Sequence, residues 1–107
     1  MKGDDVLGTN FTCGRSAASS AAVTKTATVN AGEEIGFHTN TEFTFGGIMH
    51  PGPAQIYMAK VPTGTDITDF TGYEPSTEWF KIASFAQKNE TTWITYDEKQ
   101  ASFMASV

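Results

Sequence analysis

His50 has the surroundings that say most about chemistry. It lies in Gly46-Gly47-Ile48-Met49-His50-Pro51-Gly52-Pro53, directly before the apolar run Ala54-Gln55-Ile56-Tyr57-Met58-Ala59-Lys60-Val61. Two prolines fix φ and glycines on both sides permit sharp turns, so the pattern predicts an imidazole held on a rigid corner at a strand entrance. An imidazole so placed can ligate a metal, serve as an acid or base, or bridge two loops by hydrogen bonds. Metal binding has few ways to be completed, because the chain carries 2 His and 1 Cys in all and a protein site of three ligands needs more donors brought together. His38, in Phe37-His38-Thr39, reads as a structural or surface histidine. The connection Asn40 to Met49 separates it from His50, and if the flanking strands converge the two histidines form a weak two-imidazole metal site.

Other reactive groups are sparse. With no partner in the chain, Cys13 cannot close an internal disulfide and reads as a small buried hydrophobe. The sequons Asn10-Phe11-Thr12 and Asn89-Glu90-Thr91 are acceptors for glycans in a chain that enters a secretory pathway, though each is short enough to arise by chance. No Gly-x-Ser-x-Gly elbow is present, and Gly3-Asp4-Asp5 has no phosphate-binding context. Glu33-Glu34 and Asp97-Glu98 fall in predicted turns, where they aid solubility and do not make a glycosidase's opposed carboxylates.

These groups must be positioned by strands. Val23 to Val29 alternates β-branched residues as a half-buried strand does. Glu34 to Thr39, Ala54 to Val61, Glu78 to Phe85, Thr91 to Tyr96 and Ala101 to Val107 follow, divided by Gly, Pro, Asn and Asp clusters. About six antiparallel strands and no convincing helix predict an all-β chain of one domain over residues 1–107, a sandwich or a barrel, with the sandwich favoured at this length. Trp79, Phe80, Phe85, Trp93 and Phe103 are its expected core. The longest connection, Pro62 to Thr77, reads as a solvated, locally packed loop, a length that often carries function. Seven Lys and Arg against twelve Asp and Glu give a net charge of -5 with no adjacent basic pair, which excludes the positive stripe that nucleic acid requires. No apolar run approaches the ~18 residues needed to span a bilayer, and Met1 to Asn10 does not read as a secretory signal.

Four strings, taken together, resemble one family: Phe11-Thr12-Cys13-Gly14-Arg15; Val23-Thr24-Lys25-Thr26-Ala27-Thr28-Val29 with Ala31-Gly32; His50-Pro51-Gly52-Pro53-Ala54-Gln55-Ile56-Tyr57-Met58-Ala59-Lys60-Val61-Pro62; and Glu78-Trp79-Phe80-Lys81-Ile82. In order and spacing, over residues 6–104, they are similar to the fungal lytic polysaccharide monooxygenases of auxiliary activity family 9. The resemblance implies a partial immunoglobulin-like β-sandwich and an extracellular protein acting on cellulose. It also implies a copper ion held by the amino group and imidazole of an N-terminal histidine and by a second histidine at a His-x-Gly-Pro turn, which His50 matches. An axial tyrosine and a glutamine come from the family's C-terminal half. Phe43, Phe45 and Tyr73 are the loop aromatics that match the family's sugar-facing ones in character.

The departures set the functional expectation. Residue 1 is methionine and the chain stops at Val107, before the segment that carries the axial tyrosine, so the sequence resembles the middle of the catalytic domain and keeps only His50 of the copper ligands. A chelating amine and two imidazoles bind far more tightly together than one imidazole alone, because each linked donor raises the effective concentration of the next. The expectation is therefore a truncated relative without oxidative cleavage, binding polysaccharide or metal weakly. Its rivals are a fragment of an active copper-dependent cellulose monooxygenase and a non-catalytic interaction module. The nearly chargeless terminal strand, with Phe103, Ala105 and Val107 alternating against Ser102, Met104 and Ser106, further predicts a homo-oligomer built on unpaired strand edges.

Overall fold

A computed structural model describes residues 11–12, 14–38, 48, 50–97 and 102–107. Asn10, Cys13, Phe43 and Phe45 lie outside the described residues. The elements, in chain order, are helix α1 (Ala17–Ser20), a 3-10 turn (Ala21–Val23), and strands β1 (Glu34–His38), β2 (Ala54–Ala59), β3 (Trp79–Phe85), β4 (Gln87–Asn89), β5 (Thr92–Trp93) and β6 (Ser102–Ser106). The described elements are mostly β-strands, the sheets are antiparallel, and the architecture is all-β with little helix. By packing, the chain divides into two compact units, residues Met1–Ala27 with Ala59–Trp79, and Thr28–Met58 with Phe80–Val107.

Among the described residues three two-stranded ladders form: β1 with β6, β2 with β3, and β4 with β5. β1 and β6 pair antiparallel with Ile35 opposite Ala105, Gly36 opposite Met104 and Phe37 opposite Phe103. Beyond the ladder the pairing continues through Val107 N–H to Glu33 O at 3.0 Å and Gly32 N–H to Val107 O at 2.5 Å. The period of two in β6 is expressed directly, since Phe103 and Ala105 are buried while Met104 between them is half exposed. Phe103 meets Phe85 of β3 edge to face, ring centroids 5.1 Å apart at 62°. Inward residues of two different ladders thus interdigitate as the layers of a β-sandwich do. Such an aromatic pair contributes about 0.5–1.5 kcal/mol beyond its buried area. Gly36 suits its place because a Cβ there would come 2.9 Å from Met104 Sδ.

In the first unit, hydrogen bonds are mostly local. α1 forms where alanines favour helix, and Ser19 and Ser20 hydroxyls return to the carbonyls of Ser16 and Ala17 at 2.8 and 3.0 Å. Residues 62–77 are a chain of tight turns. Asp66 Oδ1 accepts from the Thr68 N–H at 2.8 Å and the Thr68 hydroxyl at 2.7 Å. The Glu74 carboxylate ties in Thr71 and Thr77, and the Trp79 indole N–H donates to Gly72 O at 3.0 Å. Gly72 is buried at φ +71, and a Cβ on it would lie 2.6 Å from Trp79 Cζ2 and 2.9 Å from Thr12 Cγ2. The loop is thus locally packed, as its turn-forming acids suggest.

Several expectations are corrected. Val23–Val29 is no strand: Val23 ends the 3-10 turn at 84% exposure, and residues 25–30 belong to no ladder. β-branched alternation gives an extended chain, but a strand also needs a neighbour to pair with. No helix is expected from the sequence, yet Ala17–Ser20 forms α1. Thr91 to Tyr96 shortens to two strand residues because Asp97 closes a turn, its carboxylate accepting from Trp93 N–H at 2.6 Å and its own N–H donating to Trp93 O at 2.9 Å. Phe80 is 53% and Trp79 39% exposed, so neither is core; the β2–β3 ladder is two-stranded among the described residues and leaves much of its area to solvent. The terminal strand expected to seek a second copy is paired along one edge with β1.

Candidate functional site

The His50 turn is assembled from both ends of the second unit. Pro51 and Pro53 fix φ on either side of Gly52, whose own φ of +153 is reached at low cost only without a Cβ. The turn delivers the chain into β2, which starts at Ala54. What fastens it is Thr95, the most deeply buried polar residue among those described, at 1% exposure. Its hydroxyl donates to Gly52 O at 2.5 Å. A buried hydroxyl needs a partner, and the carbonyl of half-buried Gly52 supplies it. His50 itself is exposed at the outside of the bend, so the imidazole is offered to solvent from a fixed base.

Next along β2, the Tyr57 hydroxyl donates to Gln55 Oε1 at 2.9 Å, and Lys81 Nζ from β3 stands 5.5 Å from the Tyr57 ring centroid. At an exposed site this cation–π contact contributes about 0.5–1 kcal/mol. The contact ties β2 to β3 just beyond the turn.

His38 ends β1 opposite Ser102 and is exposed. Among the described residues no group of three or more His, Cys, Asp or Glu comes together as a metal cage. The copper site implied by the resemblance needs several nitrogen donors converging, and the donor set described here is two exposed imidazoles on separate elements. The described residues do not by themselves fit a complete copper centre.

Of the sugar-facing candidates, Tyr73 is described. It is 52% exposed in the 62–77 loop, with its N–H donating to Thr71 Oγ1 at 3.3 Å. Gly72 and Glu74 on either side anchor its backbone through Trp79 and Thr77. An aromatic ring on a braced loop loses little entropy on meeting a flat ligand. The first unit also has an open groove of about 330 Å³, lined by Ala17, Ala21, Lys25, Ile67 and Phe70; it contains none of the predicted site residues.

Three carboxylates, those of exposed Glu33 and Asp66 and half-buried Glu74, have their acidity strengthened by hydrogen bonds. Glu33 is held below its ordinary range by the Asn30 N–H and then the Asn30 side chain, and Asp66 by the Thr68 hydroxyl and then its N–H. Glu74 is held down by its own backbone N–H, with Thr71 and Thr77 adding to this. All three cap turns, so they organise loops and stand outside any proton-transfer arrangement.

The sequence model of Auxiliary Activity family 9, formerly GH61, matches residues 2–107. The chain belongs to this family. Among similar proteins, AA9 family lytic polysaccharide monooxygenase U of Thermothielavioides terrestris is 38% identical over 101 residues, covering 92% of this chain and 38% of the relative. Monooxygenase G of Aspergillus tamarii is 36% identical over 107 residues, covering 92% and 30%. Monooxygenase C of Emericella nidulans is 42% identical over 79 residues, covering 74% and 30%. The chain therefore spans between a third and two fifths of the length of the first of these and 30% of the other two. No solved structure matches it.

Thr95 and the Lys81–Tyr57 contact escaped sequence reasoning. A threonine in Trp93-Ile94-Thr95-Tyr96 looks like any strand residue, and nothing local announces a partner 43 positions away.

Proposed function

We propose that this AA9 chain presents His50 as one copper-seeking imidazole beside a polysaccharide-binding surface that includes Tyr73, and that the 107 residues alone do not cleave cellulose oxidatively. The observation that carries the reading is the His50 turn: the imidazole is exposed and fixed by two prolines and the Thr95 anchor, with no cage of three donors among the described residues. One imidazole lacks the chelate advantage that keeps a redox metal seated. His38 is proposed as a further weak donor at most. The partner is cellulose or a related polysaccharide and the compartment is extracellular, both following from membership of the family; no helix among the described residues is long and apolar enough to cross a membrane. The homo-oligomer is proposed to pair through a strand edge of β1 or β6 other than the one that joins them to each other.

A second reading, that the chain is one piece of an active copper-dependent cellulose monooxygenase, is supported by its covering 38% of the length of the Thermothielavioides relative. In that case the same His50 turn supplies one ligand and the rest come from elsewhere in a longer polypeptide. Incubation of the 107-residue chain with swollen cellulose, copper and ascorbate separates the two for the chain in hand. The expected result is no oxidised oligosaccharide above a copper-only control. Oxidised products that vanish in His50→Ala would refute the inactive reading.

A further inference from the structure

We propose that Asn89 is an N-glycosylation site, accepting an oligosaccharide from a lipid-linked pyrophosphate donor; whether it is used in nature rests on the extracellular reading above. Asn89 ends β4, and Glu90 and Thr91 make the turn into β5. The Thr91 N–H and the Thr91 hydroxyl both donate to Asn89 Oδ1, at 3.0 and 3.1 Å. A backbone N–H can only donate, so the carboxamide atom facing it is the oxygen. Nδ2, the atom that takes the sugar, therefore stands on the other side of the carboxamide from this contact.

The surroundings suit a bulky product. Residues 86–91 are all exposed, so a glycan here displaces no packed side chain. The sequon's arrangement comes from contacts two residues apart, and a turn this local forms without waiting for the sandwich. The intervening residue is Glu90, which leaves φ free where a proline would not.

The reaction balances without a redox step. Asn89 Nδ2 forms a bond to the anomeric carbon of the donor's first sugar as that carbon's bond to the pyrophosphate oxygen breaks. The lipid pyrophosphate leaves with the electron pair, and one Nδ2 proton passes to a base on the transferase.

The test is expression of the full chain behind a secretory leader in a fungal host, with an extra sequon in a flexible C-terminal tag. Chains are captured by the glycan on that tag, so every molecule scored has met the transferase. Peptide mass spectrometry after enzymatic deglycosylation in 18O water then reads Asn89. The expected result is 18O-labelled Asp at position 89 in most molecules, lost in Asn89→Gln and in Thr91→Ala and retained in Thr91→Ser. Tag-captured, soluble wild-type chain with an unmodified Asn89 peptide overturns the proposal. Because the leader is supplied, that outcome speaks to Asn89 and not to where the natural chain resides.

Discussion

The Thr95 hydroxyl and the Gly52 carbonyl, 43 residues apart in sequence, share a 2.5 Å hydrogen bond that fastens the His50 turn to the interior of its unit. Proline and glycine give the turn its shape, but shape alone does not hold an exposed imidazole in one place. A buried donor reaching the middle of the turn does, and it connects the packing of the second unit to the histidine proposed above as a copper-seeking imidazole.

Thr95→Val keeps the volume and removes the donor, leaving Gly52 O without its partner. The expected loss is about 1–3 kcal/mol of stability, measured by urea unfolding. Thr95→Ser keeps the hydroxyl and should recover most of the hydrogen-bond contribution. Equal stability of the valine variant and wild type would show that the anchor does not form in solution.

Gly72→Ala places a Cβ against Trp79 and Thr12 at a φ of +71. Overpacking at such a site costs about 1–3 kcal/mol, with the left-handed backbone adding to it. The expected outcome is a lowered thermal midpoint, with weakened cellulose adsorption if Tyr73 depends on the brace beneath it. Tyr73→Ala removes an exposed ring, and is expected to weaken adsorption several-fold while leaving the unfolding free energy within about 0.5 kcal/mol of wild type.

Acid should loosen the turns. Glu33 and Glu74 have folded-state pKa values below the ordinary glutamate value of 4.5. Between that value and the lower folded one the unfolded chain binds more protons, so their contribution is present above pH 4.5 and is lost as pH falls through the folded values. Stability measured by urea unfolding should therefore fall below pH 4.5. Glu74→Gln should flatten part of that slope; an unchanged slope would place the dependence elsewhere.

How legible this was depends on the range of each interaction. The alternation of Phe103 and Ala105 with Met104, and the apolar run entering at Ala54, are local patterns, and β6 and β2 follow from them. The His50 corner is legible because proline and glycine act on their own backbone. Thr95 is not, since a threonine's partner is chosen by the fold. Val23–Val29 misled for the same reason: its β-branched residues satisfy every local rule for a strand, yet pairing depends on a neighbour. Asp97 cut short the strand predicted over 91–96 through a four-residue turn that a carboxylate can close but does not always close. Trp79 and Phe80, at strand-like spacing, read as core, whereas their exposure is decided by what flanks β3.

The central claim is that His50 is this chain's copper-contacting imidazole and that it acts without enough companions to seat the metal. Titration of the 107-residue chain with Cu(II), side by side with His50→Ala, tests it most directly. The account predicts weak binding of one copper by the wild type and binding weaker by about tenfold or more in the variant, which keeps only His38. A dissociation constant on the order of 1 μM or below, or equal binding by both proteins, would contradict it.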